Sequence, residues 1–131
     1  MKRLIPSIGA LALLALVLPV AASAQDMPMP KAPEGHAATV SGTVIDLSCK
    51  FRHNLSGETH RMCAQVCADI GIPLAILGDD GTLYMPVSAG MPGDNQNAVL
   101  KEYAEQKVRV TGTVFEAGGA KAIQIESVTR S

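Results

Sequence analysis

Four side chains within one short stretch, Cys49, His60, Cys63 and Cys67, are of the kinds that hold soft metal ions. His60, Cys63 and Cys67 stand at relative positions 0, 3 and 7, which a helix places within an arc of roughly 60°. Cys49 lies one loop earlier and can close the set to a Cys3His tetrahedron, the composition of many zinc sites. The same thiolate-rich set suits Cu(I). Zinc and copper are therefore both expected candidates. Met27, Met29, His36, His53, Met62, Met85 and Met91 add further thioether and imidazole groups of the sort Cu(I) accepts. Each also has a plainer employment, as a gap-filling core methionine or a solvated histidine.

Two other chemistries compete for the same cysteines. Lys2 and Arg3, a 13-residue run from Ile8 to Val20 and the small residues Ala22-Ser23-Ala24 read in order as a cleavable secretory signal over residues 1–24. The run falls short of the roughly 20 residues a membrane-spanning helix needs. A periplasmic or secreted chain with no membrane insertion after cleavage is expected. Export favours a disulfide, in which Cys49 pairs with Cys63 or Cys67 and the domain serves as a binding module for a protein partner. Cys63 and Cys67, four apart on a helix, are badly placed to pair with each other. One thiol is then left over, and a free thiol outside the cytoplasm calls for a metal, a partner or a thiol-redox role.

Catalysis has little to work with. Asp79-Asp80 sits in a Gly-Asp-Asp-Gly turn, Asp46 follows apolar strand residues with no paired carboxylate, and no nucleophile elbow or phosphate loop is present. His60 and Cys63 form a pair without a third orienting group.

From Val40 to Val87 the order VSGTVIDLSC, GETHRMCAQVCADIGIPLAIL and DGTLYMPV resembles a set of small exported bacterial OB-fold-like proteins, most of them without an assigned activity. They share a strand ending in Asp-x-x-Cys, a His-x-x-Cys-x-x-x-Cys helix and a following Gly-x-Pro. The resemblance implies that Asp46, Cys49, His60, Cys63, Cys67, Gly71 and Pro73 belong to one motif.

The elements that must position these groups can be read from pattern and punctuation. Residues 25–38 carry three prolines and almost no bulky apolar side chain, and read as a flexible arm. The OB-like domain is expected over 39–131. Thr39 to Cys49 has the β-branched composition of a strand with a bend at Gly42, and Lys50 to Glu58 reads as a loop. A helix follows, capped by Thr59 and ended by Gly71 and Pro73. Its apolar side should hold Met62, Val66 and Ile70, with both cysteines on that buried side or at its edge. A hairpin of Leu74–Leu77 and Thr82–Val87, a helix over Asn97–Gln106 and a closing hairpin of Lys107–Glu116 and Ala120–Thr129 complete the order. That order predicts a mainly β fold with two short helices, an OB-like five-stranded barrel with a helix inserted after strand 1.

Without Lys2 and Arg3 the eleven basic residues become nine against twelve acidic, a net charge of −3, with no basic run. Nucleic acid is excluded as a partner on charge, and the absence of Trp leaves no stacking platform. The core must rest on Val, Ile, Leu and Ala.

Overall fold

The computed structural model describes residues 30–131. The leader and the arm methionines Met27 and Met29 lie outside the described residues. Five strands form a closed barrel: β1 (Gly35–Asp46), β2 (Leu74–Gly78), β3 (Leu83–Pro86), β4 (Lys107–Ala117) and β5 (Ala120–Arg130). Neighbours run in the order β1, β2, β3, β5, β4 and back to β1. All pairs are antiparallel except β3 with β5, which close the barrel in parallel. This is the OB-like barrel expected from the element order.

Closure depends on one long strand serving two neighbours. β1 pairs with β4 over Gly35–Thr43 and with β2 over Gly42–Asp46, so the exchange takes place at Gly42. A Cβ there would lie 2.4 Å from the carbonyl oxygen of Leu77, which is why the bend needs glycine. β1 begins at Gly35, four residues before the expected start, so His36 lies in a strand opposite Val114 and not in the arm.

Val40, Val44, Leu74, Ile76, Leu100, Val108, Val110, Val114 and Ile123 form the centre of the barrel core, with no aromatic side chain among the fully buried residues. Burial along β1 alternates up to Thr43 and then becomes continuous over Val44–Asp46. The outer face of the strand is covered there because a helix lies on it. This covered end of β1 is where the cysteines gather.

Among the described residues there are three short helices where two were expected. The additional one, α1 (Leu47–His53), occupies the segment read as a loop. Its sequence has no apolar periodicity and it buries no residue, so nothing in the hydrophobic pattern announces it. What makes it is capping. Asp46 accepts a hydrogen bond from the Cys49 amide at 2.8 Å at the start, and Asn54 takes the left-handed conformation at the end, with φ 53°.

A 3-10 turn (Glu58–His60) leads into α2 (Arg61–Asp69), and Thr59 does not cap it. The face of α2 is also the reverse of the expectation. Ala64 and Ala68 are buried, whereas Met62, Val66 and Ile70 are 78%, 57% and 75% exposed. Two alanines let the helix backbone lie close to the barrel wall, and the larger apolar residues are left outside. Gly71, at φ 94°, ends α2 as expected. α3 is only Asn97–Leu100, followed by a 3-10 turn over Lys101–Tyr103. No helix among the described residues is long and apolar enough to cross a membrane.

Candidate metal centre

Cys49 stands in the first turn of α1, and Cys63 and Cys67 stand one turn apart on α2. The three sulfurs lie within 4.8 Å of one another. Ligands at about 2.3 Å around a tetrahedral ion stand about 3.8 Å apart, so gathering them requires movements of about 1 Å at most. All three are free thiols; Cys49 and Cys67 are half-buried and Cys63 is exposed. The trio could hold a metal ion, with Cys63 as its open side.

Two features fix the spacing. Leu47, at the head of α1, donates its amide to the carbonyl of Pro73 at 3.1 Å, which ties that helix to the exit of α2. The Asn97 side chain then clasps the exit itself. It donates to the carbonyls of Ala68 at 2.9 Å and Ile72 at 2.8 Å, and accepts from the Leu74 amide at 3.0 Å. Gly71 and Pro73 thus set the approach of one cysteine helix to the other.

Electrostatics at the site are set by a carboxylate. Asp46 is fully buried, and the thiols of Cys49 and Cys67 both lie within hydrogen-bonding reach of it. Its Oδ1 is taken by the Cys49 amide, while its Oδ2 has no partner with full hydrogen-bond geometry. The carboxylate holds the proton on Cys67, and with burial it pushes that thiol up to about 12. Burial first, and the Asp46 charge second, push Cys49 up as well. Two of the three thiols are therefore unlike the low-pKa cysteine of a thiol-redox centre.

No protein-family model, curated protein or solved structure matches the chain.

His60, the fourth residue of the set read from the sequence, is placed differently. Its Nδ1 lies 3.0 Å from Oε1 of Glu105, both side chains are buried, and its ring does not join the sulfur group. Its Nε2 is buried without a partner. Glu105 also accepts from the Gly57 amide at 2.8 Å through Oε2, and its own amide donates to Val44. It ties the loop before α2 to the barrel. Neither Glu105 nor Asn97 carries a signal in the sequence, because each acts on a partner 23 or more residues away. His53 is exposed at the end of α1, and Met62, Met85 and Met91 are all exposed, so none of them fills the core.

Proposed function

We propose that this chain is an exported protein that binds one soft transition-metal ion, zinc or copper, through Cys49, Cys63 and Cys67, for metal handling or to stabilise its own fold. The observation that carries the reading is the convergence of three sulfurs, from two helices, within 4.8 Å at one end of a rigid barrel. A half-exposed site of this kind can exchange its ion, because Cys63 stays accessible to an incoming ligand. The periplasm supplies the setting in which a third thiol needs protection, and a metal provides it without leaving one cysteine over. The raised pKa values of Cys49 and Cys67 make those two poor redox nucleophiles, which leaves Cys63 alone for a thiol-transfer reading.

The test is to purify the mature chain from periplasm, measure its metal, and count alkylatable thiols by intact mass before and after reduction. About one equivalent of metal, with three alkylatable thiols after chelation without any reductant, is the expected result. A chain without metal, lighter by two hydrogens and with a single alkylatable thiol, would overturn the reading in favour of the disulfide-pinned binding module.

A further inference from the structure

Among the described residues, three buried side-chain polar atoms have no hydrogen-bond partner: Asp46 Oδ2, His60 Nε2 and Arg61 Nε. Interiors leave few such atoms, and each calls for a reason. Arg61 is a cation and cannot serve a metal. The other two are both metal donors.

We propose that Asp46 supplies the fourth ligand, so that Oδ2 completes the three sulfurs to a Cys3Asp site, and that this donor set selects divalent zinc over Cu(I). The inference rests on the reading above that the cysteine trio binds a metal. Its support is geometric. The hydrogen bond from the Cys49 amide to Oδ1 at 2.8 Å fixes the carboxylate at the head of α1, beside the first of the three cysteines. The same carboxylate is within reach of the Cys67 thiol on the other helix. It is 0% exposed, so bulk water does not satisfy the free oxygen. A buried carboxylate oxygen whose only company is a thiol at poor hydrogen-bond geometry is badly satisfied, and a cation that displaces the thiol proton gives it a stronger partner.

Neither Asp46 nor His60 belongs to the three-sulfur group itself, but His60 is the weaker candidate because Glu105 holds one ring nitrogen, whereas the Asp46 carboxylate meets the thiols of both Cys49 and Cys67. Its bare Nε2 is also cheaper to leave unpaired than an anionic oxygen. Choosing oxygen over nitrogen then has a consequence for the metal. Thiolates alone serve Cu(I) as well as zinc, whereas a hard carboxylate oxygen adds to the affinity for a divalent ion and little to that for Cu(I). Three thiolates and a carboxylate also repel one another, and a divalent ion offsets more of that repulsion than a monovalent one.

The experiment uses the reduced, metal-free mature chain, with Zn(II) and Cu(I) themselves as probes in competition with chelators of known affinity. Asp46→Asn keeps the size of the side chain and a capping oxygen, and removes the charge. Zinc affinity should fall by more than the roughly 10- to 100-fold that outer-shell changes cost, while Cu(I) affinity stays within about threefold. His60→Gln should leave zinc affinity within about threefold of the wild type. X-ray absorption of the zinc-loaded wild type should show three sulfurs at about 2.3 Å, one light atom at about 2.0–2.2 Å and no imidazole signal in the outer shells.

Zinc affinity unchanged in Asp46→Asn, or an imidazole signal in the wild type, would overturn the assignment while leaving the metal-binding reading intact. A wild type that binds neither ion sinks both. Should Asp46→Asn fail to fold, Asp46→Ser retains a capping oxygen and repeats the comparison, and the wild-type spectrum decides independently.

Discussion

Cys67 sits where its two chemical states are pulled hardest apart. As a metal ligand it must be a thiolate, yet the Asp46 carboxylate and burial hold its proton up to about 12. In the metal-free protein this preference is a contribution to stability with a definite sign. The folded-state pKa is raised above the ordinary thiol value of 9.0, so the contribution is whole below that pH and is lost as pH rises through about 12. The reduced, metal-free chain should therefore lose stability above pH 9, and Cys67→Ser should remove part of that loss. Urea midpoints of both proteins from about pH 8 to about pH 11 check this. Parallel pH profiles for the two would show that the carboxylate does not act on this thiol.

At the same scale, the three cysteines were legible from type and spacing alone, because a helix puts positions 63 and 67 on one side whatever it rests against. The role of Asp46 was not. Its apolar neighbours placed it inside a strand running on to Cys49, and its cap becomes visible only once β1 ends on it and α1 exists to be capped.

Among the elements, α2 shows why a periodic pattern can be read on the wrong side. Met62, Val66 and Ile70 recur every four residues and mimic a core stripe. The buried positions are instead Ala64 and Ala68, which contribute little area but permit a close approach to β1, with Cys67 half-buried and Cys63 left exposed beside them. Periodicity gives the angle between residues, and it does not say which side is the inside when the small residues are needed there. The difference is measurable. Val66→Gln should change stability by less than about 0.5 kcal/mol, as an exposed substitution does, whereas Ala64→Leu should cost about 1–3 kcal/mol through overpacking. A thermal or urea unfolding series distinguishes them, and a larger loss at Val66 than at Ala64 would restore the face expected from the sequence. α1 was missed for the opposite reason: it has caps and no stripe, so only its ends could have revealed it.

Across the whole molecule the barrel was legible because its signals are redundant. Strand composition, turn residues and element order all point to five strands, and the core of Val, Ile and Leu follows from the lack of aromatics. Two segments of the chain, VSGTVID at 40–46 and VTGTVFE at 110–116, are alike for a physical reason. Gly42 lies where β1 exchanges β4 for β2, and Gly112 lies where the β4–β5 pairing shifts register, from Thr111 opposite Ser127 to Gly112 opposite Ile125. The two segments share a glycine because two long strands must each bend sharply to close one barrel. A Cβ on Gly112 would lie 2.1 Å from the carbonyl oxygen of Gln124, a backbone atom that cannot move without shifting β5. Gly112→Ala should therefore destabilise the fold by about 1–3 kcal/mol or more, and at roughly 4–8 °C per kcal/mol in a domain of this size the melting temperature should fall visibly. The sulfur cluster stands on α1 and α2 beyond the end of β1, whereas Gly112 is on β4. The variant should therefore still take up metal below its lowered melting temperature, so that calorimetry shows a large shift while the metal stoichiometry is unchanged. Loss of both together would mean that the site depends on the curvature of the whole barrel and not only on the end of β1.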